Sequence, residues 1–451
     1  MPALFKGWLY DCGLMADSEI PPPVARPALV RAISRFDLTA AVVNGVIGSA
    51  IFGLPGGVAA LTGSWSPIAY LLAGLGVLTI VLSFAEVASR FRDGGGPYLY
   101  AREAFGPFVG FQAGWLTFWI RVTAVAANLN VFVEYGSQLV PAMGTPWGRV
   151  GTMTGVLALV TAVNLRGVRQ ATWTVDLFTV AKLLPLVLLI VLGLGHLSPE
   201  VLATQTVASP DWTQAILLLV FAYGGFEAPL IPAGEAKDPR RDTGFALLTA
   251  LAIIAVVYTL VQWVVVGLVP QVATVKAPLA AAFRVLIGPW GVTLAGLTAM
   301  VSIYGYTTGT VLQSPRVLLA MAERGELPRI WSRIHPTYRT PDAAILTYSA
   351  LVLVLAVYGS FTWNATLSAV VRLLTYGATC VALPVLRRRW PGDQPGFRLP
   401  AGGLISLLGA SFCLWLLLTR TFSQAWVLAG LVLAGSGLFL VADKRRRSAG
   451  P

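Results

Sequence analysis

Long apolar stretches alternate with short polar segments along most of the chain. A helix needs about 20 predominantly apolar residues to cross the hydrocarbon core of a bilayer, and twelve stretches satisfy that requirement. The third and the eighth are longer than one crossing requires, which indicates that they are tilted or extend beyond the lipid. The twelve predicted spans cover approximately residues 37–61, 66–89, 108–138, 149–165, 172–195, 211–234, 243–269, 290–322, 341–358, 363–386, 401–419 and 424–442.

This pattern predicts an all-α integral membrane protein, because the connecting segments are too short to hold a soluble domain. Residues 1–35 contain several charges and the Pro21–Pro23 run, and they lack the long apolar core of a signal peptide. We expect a disordered cytoplasmic tail there, with Met15 as an alternative start. Residues 443–451 are expected to form a second, basic cytoplasmic tail.

Composition and charge agree with a membrane protein and argue against nucleic acid as a partner. Of 451 residues, 56% are hydrophobic and 12% are charged, whereas a soluble chain has about 25% charged residues. The net charge of +12 is concentrated in alternate loops and at both ends. The positive-inside rule then predicts that both termini are cytoplasmic. The Arg387–Arg389 and Lys444–Arg447 clusters would face anionic lipid.

The residues that usually carry catalysis or bind metals are few and scattered. The three cysteines, Cys12, Cys380 and Cys413, lack metal-ligand spacing, and the two histidines lie far apart. We therefore predict no enzyme activity, no metal and no cofactor.

Two predicted spans contain sequence that interrupts a helix. The first holds GVIGSAIFGLPGG at residues 45–57, and the sixth holds FAYGGFEAPLIP at residues 221–232. Glycine loosens a helix and proline kinks it, although close helix packing can also explain glycine. Both interruptions fall near the middle of the bilayer, in spans that run in opposite directions, which is typical of a transporter site.

Interrupted helices have a chemical consequence in lipid, since the freed N–H and C=O groups need partners there. The N-terminus of a half-helix attracts a carboxylate, and freed carbonyls accept hydrogen bonds from an ammonium group. An α-amino acid supplies both charges at a short fixed spacing. The two interruptions thus favour a zwitterionic ligand.

Four stretches carry a resemblance to the amino acid–polyamine–organocation transporters, from about residue 36 to residue 342. They are GVIGSAIF, FAEVASRFRDGGGPYLYAREAFGPFVGF, FAYGGFEAPLIPAGEAKDPRRD and RVLLAMAERGELPRIWSRIHPTYRTP. The resemblance implies the LeuT-type fold, in which five helices are followed by five inverted helices and two more. Here the first repeat would be residues 36–195, the second 211–388, and the additional pair 401–442.

The resemblance also implies a substrate site. The amides of Ser49 and Ala50 would hold the carboxylate, the carbonyls of Val46 and Phe221 would take the amino group, and the Phe221 ring would act as a gate. The sequence departs from the family at Ala50, where glycine is usual, and at Pro229 and Pro232 in the sixth span. The full predicted site is Val46, Ile47, Gly48, Ser49, Ala50, Phe221, Ala222, Tyr223, Gly224, Gly225, Phe226 and Glu227.

Ionisable residues inside spans are costly and indicate function by default. The resemblance suggests that Lys182 replaces a sodium ion, as a fixed charge or a proton carrier, and a structural lysine is the alternative. Glu227 would recognise a cationic side chain, take part in proton coupling, or pair with Arg121 or Arg372. A gate or scaffold role is expected for Glu86, Arg121 and Glu235. Tyr304, Tyr306 and Asn128 are further candidates for the lining, although helix packing is the favoured interpretation of each.

These features predict a sodium-independent amino acid permease of a bacterial plasma membrane, working by proton symport or by exchange. A polyamine or organic-cation carrier and a non-transporting amino acid sensor are the alternatives. Expected partners are an amino acid, the bilayer and possible coupling protons, in a monomer or homodimer. Residues 139–150 contain no cysteine, so no disulfide-linked heavy chain is predicted.

Overall fold

The computed structural model describes residues 33–91, 95–166, 172–231 and 236–448. Within these ranges the chain is helical, and the one β-type contact is an isolated parallel bridge between Ile33 and Ala236. The α-helices are α1 Arg35–Val46, α2 Ala50–Thr62, α3 Ser66–Ser89, α4 Gly96–Phe105, α5 Pro107–Leu139, α6 Pro146–Leu165, α7 Thr172–Leu194, α8 Pro199–Ala203, α9 Trp212–Tyr223, α10 Pro239–Leu268, α11 Pro278–Ile287, α12 Pro289–Glu323, α13 Asp342–Tyr358, α14 Phe361–Arg389, α15 Gly402–Leu418 and α16 Phe422–Ser448.

Six helical stretches are long and apolar enough to cross a membrane, judged by length and composition among the described residues. They are Ala50–Ser89, Pro107–Leu139, Pro146–Leu165, Pro239–Leu268, Phe361–Arg389 and Gln424–Lys444. Shorter apolar helices occupy Phe178–Leu194, Trp212–Tyr223, Pro278–Ile287, Asp342–Tyr358 and Gly402–Leu418. The chain is therefore a multi-pass membrane protein, as its hydropathy predicts.

The surface of the outer helices agrees with a lipid environment. On α15 the side chains of Leu404, Leu407 and Leu414 are all more than half exposed. Such a row of exposed leucines would be a large apolar patch in water, whereas lipid tails accept it. The exposed leucines of α15 therefore suit contact with lipid, as the composition of the chain predicts.

Helix α5 lies at the centre of the bundle. It packs against α4, α12, α13 and α14. Within its most apolar 18-residue segment, 94% is buried inside the protein. Helix α10 packs against α3 and α1, while α9 contacts α2, α3 and α14. This packing places α5 and α14 beside the end of α9 and the start of α2.

The first predicted span is broken, as its glycines indicate. Helix α1 ends at Val46, Ile47 has non-helical dihedrals (φ −74°, ψ 86°), and α2 begins at Ala50. Neither half is long enough to cross a bilayer alone, since α1 has 12 residues and α2 has 13. The break therefore leaves two helix ends buried inside the protein, at Val46 and Ser49.

The sixth predicted span is broken as well. Helix α9 ends at Tyr223, Gly224 is extended (φ −79°, ψ 158°), and Gly225 adopts φ 112°. A positive φ of this kind favours glycine, because a Cβ would be strained there. The described residues from Gly224 to Ile231, which include Pro229, form turns and bends instead of a second half-helix. Pro232 lies outside the described residues.

Candidate functional site

The two breaks meet backbone to backbone. A Cβ built on Gly45 would lie 3.2 Å from the carbonyl oxygen of Gly225, and a Cβ on Gly225 would overlap the carbonyl of Gly45. Any larger residue would push the two main chains apart. Glycine at both positions thus allows the interrupted segments to touch.

A small cavity lies between the breaks, α5, α12 and α14. Its volume of about 10 Å³ is roughly what one water molecule needs. An amino acid does not fit in this volume without movement of side chains. The lining residues are Val46, Gly48, Ser49, Ala50, Asn128, Phe221, Gly224, Tyr306 and Arg372.

At the first break, protein groups already occupy the main-chain atoms expected to hold a ligand. The Ser49 N–H donates to Asn128 Oδ1 (3.1 Å). The Val46 carbonyl accepts from Tyr258 Oη (3.2 Å) and from the Gly48 N–H (2.8 Å). The Ala50 N–H belongs to the first turn of α2, where amides have no intrahelical acceptor. The start of α2 is thus a binding surface for an acceptor, with Asn128 as its present partner.

At the second break the occupying group is an arginine. Arg372 Nη1 lies 3.5 Å from the Phe221 carbonyl oxygen, which also accepts from the Gly224 N–H (3.2 Å). The guanidinium lies 5.8 Å from the centroid of the Phe221 ring. A Cβ on Gly224 would collide with the guanidinium. Arg372 therefore stands where the resemblance implies that a substrate amino group binds.

Glu227 is buried beside this arginine. Its Oε2 accepts from the Gly225 N–H (2.9 Å) and from Tyr376 Oη (2.8 Å). Its Oε1 lies 3.6 Å from Arg372 Nε, which is close enough for an ion pair and too long for a hydrogen bond. Of the interpretations of Glu227 from sequence, pairing with Arg372 is the one that this geometry supports.

Arg121 is also buried, on the central helix α5. Its Nε and Nη2 have no hydrogen-bond partner among the described residues. Asn128 lies seven residues further along the same helix, about two turns away and therefore on the same face. Arg121 thus lies on the same side of α5 as Asn128, which lines the cavity.

Lys182 of α7 contacts main-chain carbonyls at the first break. Its Nζ donates to the Ile47 carbonyl (2.7 Å) and more weakly to the Asn44 carbonyl (3.3 Å), and the side chain is fully buried. Ser302 Oγ is a distant second donor to Ile47 (3.5 Å). An ammonium group therefore compensates carbonyls that the break frees.

Four more of the predicted site residues lie behind the lining. Tyr223 donates to the Tyr70 carbonyl (2.9 Å), and the Phe226 ring packs on Tyr376 with centroids 5.0 Å apart. Ala222 is buried within α9, and Ile47 offers its carbonyl to Lys182. These residues support the breaks, and Tyr258 and Tyr376 are supporting residues that the sequence analysis did not single out.

Glu86 joins three segments at the end of α3. It accepts from Arg90 Nη2 (2.9 Å), from Arg387 Nε (2.8 Å) and Nη2 (2.6 Å), and from the Leu399 N–H (2.9 Å). Its side chain is fully buried. Such a bridge suits a gate or scaffold role, while Glu235 lies outside the described residues.

A second ionic link lies outside the spans. Arg102 Nη1 donates to Glu326 Oε1 (2.6 Å), joining α4 to the segment after α12. Partial burial disfavours the charged guanidinium, but the hydrogen bond to Glu326 prevails and raises the pKa of Arg102 above its ordinary value. Arg102 therefore remains charged across the physiological pH range.

Comparison with known proteins assigns the fold and chemistry to one family. Residues 33–438 match the amino acid permease family, which is most of the chain. The chain belongs to the amino acid permease family. Its relatives carry out transport, so this permease is a transporter and not an enzyme.

Three relatives from Bacillus subtilis (strain 168) match this permease over most of their length. The serine/threonine exchanger SteT is 29% identical, covering 90% of this chain and 95% of its own. The methylthioribose transporter is 29% identical, covering 86% and 88%. The branched-chain amino acid permease BcaP is 27% identical, covering 90% and 92%.

Proposed function

We propose that this permease carries amino acids across the plasma membrane by alternating access, without sodium, by proton symport or by exchange. The observation that carries the proposal is the meeting of two interrupted helices around one cavity. One side of the cavity offers the amides at the start of α2, and the other offers the Phe221 carbonyl. A carboxylate suits the first and an ammonium suits the second.

The proposed topology is twelve crossings, with two inverted sets of five and both termini in the cytoplasm. The breaks after Val46 and after Tyr223 support the inverted repeat, because they interrupt the first span of each proposed set. The concentration of Lys and Arg in alternate loops supports the orientation.

Lys182 supports sodium independence. Its ammonium group donates to two carbonyls at the first break, as a bound cation would be held by carbonyl oxygens. A fixed positive charge there makes a sodium ion redundant. Proton loss from the same group would release the break, which is how coupling to protons would work.

A polyamine or organic-cation carrier is the less favoured alternative. Such a substrate would rely on Glu227, but this carboxylate already faces Arg372 and accepts two further hydrogen bonds.

An uncharged substrate is a second alternative, since one relative is described as a methylthioribose transporter. A sensor that binds an amino acid without moving it is a third. The deciding experiment is uptake into proteoliposomes of labelled amino acids, methylthioribose and putrescine, with and without a pH gradient. Amino acid uptake is expected. Uptake of methylthioribose or putrescine alone, or binding of amino acids without uptake, would contradict the proposal.

A further inference from the structure

The charged side chains buried around the two breaks carry more positive than negative charge. Four buried ionisable side chains surround the breaks: Arg121, Lys182 and Arg372 are cationic, and Glu227 is anionic. Each is at most 4% exposed. An excess of buried positive charge is costly in a medium of low dielectric constant unless an anion compensates it. A zwitterion brings no net charge, so it leaves this excess unchanged.

The hydrogen-bond donors of these arginines point to the same imbalance. Within the described part of the chain, Arg372 Nε has no hydrogen-bond partner, and the contact of its Nη1 to the Phe221 carbonyl is long, at 3.5 Å. Arg121 Nε and Nη2 and the Asn128 Nδ2 are also buried without a partner among the described residues. A guanidinium offers five N–H donors in a planar fork that matches a carboxylate. Several guanidinium and amide donors around the cavity are therefore available to a ligand that brings acceptors.

Arg372 is within reach of a ligand, because it lines the same cavity as the start of α2. A ligand whose α-carboxylate binds the Ala50 amide would lie in the same cavity as the Arg372 guanidinium. Arg121 lies about 10 Å along α5 from Asn128 by helix rise, where it adds a positive field. The loosely held guanidinium of Arg372 can turn toward such a ligand without breaking a short hydrogen bond.

We infer that this site selects amino acids with an acidic side chain, and that Arg372 binds the side-chain carboxylate. The inference rests on the proposed amino acid transport and names its substrate class. An acidic amino acid has a net charge of −1, so it offsets part of the buried positive charge. Its second carboxylate supplies acceptors for the guanidinium that a neutral side chain lacks.

The first test compares each acid with its amide, which has nearly the same shape and no side-chain charge. Purified permease is titrated with L-glutamate and L-glutamine, and with L-aspartate and L-asparagine, by calorimetry or by inhibition of counterflow. The acids are expected to bind at least about tenfold more tightly than the amides. Equal or tighter binding of the amides would overturn the inference and leave amino acid transport intact. Failure of every amino acid to bind would overturn both.

The second test removes the arginine and its partner together. The double variant Arg372→Gln with Glu227→Gln keeps the net charge around the breaks unchanged and leaves neither member of this ion pair buried without its partner. Its acid affinity is expected to fall at least about tenfold, while its amide affinity changes by less than about threefold. An unchanged preference for acids would overturn the role of Arg372.

Two further variants complete this test. Arg372→Lys keeps the charge without the planar fork, so we expect it to restore part of the acid preference. Arg284→Gln is the matched control, because Arg284 is exposed on the short helix α11. If the double variant does not fold, the comparison of acid and amide on the unaltered permease decides the question alone.

Discussion

Replacing Lys182 with methionine removes the ammonium group and keeps most of the side-chain volume. The main loss is the 2.7 Å hydrogen bond to the Ile47 carbonyl, and the 3.3 Å contact to Asn44 is a smaller one. A hydrogen bond from a charged donor contributes about 1.5–3 kcal/mol. From the described residues, the Ile47 carbonyl would retain the distant Ser302 hydroxyl as its side-chain donor.

A loss of this size has a measurable effect on the break. About 2 kcal/mol changes a population roughly 30-fold, so the break would no longer be held in one geometry. We expect uptake driven by a pH gradient to fall at least about tenfold in Lys182→Met. The assay is initial uptake into proteoliposomes, with an inward proton gradient and without one.

The matched control is Lys276→Met, since Lys276 is exposed in the loop before α11. Size-exclusion profiles and the melting temperature in detergent show whether each variant folds. If folded Lys182→Met transports at the unaltered rate and with the same response to the gradient, the coupling role of Lys182 is refuted.

Two other substitutions test the substrate site and the scaffold. Ser49→Pro deletes the N–H that donates to Asn128 at 3.1 Å, so we expect at least about tenfold weaker amino acid binding, measured by calorimetry; unchanged affinity would argue against a carboxylate site at the start of α2. Glu86→Gln leaves Arg90 and Arg387 without their buried carboxylate, so we expect the free energy of unfolding to fall by about 3–5 kcal/mol. The loss is measured as a lower melting temperature, and an unchanged melting temperature would contradict a scaffold role.

Hydropathy and glycine content predict much of this fold because both are local properties. The long helix α5 and the breaks after Val46 and Tyr223 coincide with the predictions. Helix ends are predicted less well. Helix α14 continues to Arg389 and α16 to Ser448, beyond the predicted spans, because a hydropathy pattern ends at the first charges and a helix need not.

The partners within the site could not be predicted in the same way. Asn128 and Ser49 are 79 residues apart in sequence, and Arg372 and Phe221 are 151 apart. Only tertiary packing brings these pairs together. An arginine in an apolar span indicated that Arg372 has a buried partner, but it did not reveal that the guanidinium lies on the main chain of the second break.

These partners bear on the transport cycle. Asn128 holds the Ser49 amide, Tyr258 holds the Val46 carbonyl and Arg372 lies on the Phe221 carbonyl, so these three main-chain groups have partners without substrate. Main-chain groups in lipid need such partners, and a carrier that lacked them without substrate could not close. Partners of this kind lower that obstacle to returning without substrate, and we therefore propose symport over obligatory exchange. We therefore expect net uptake into proteoliposomes that contain no internal amino acid; uptake that requires internal substrate would show that another step prevents the return.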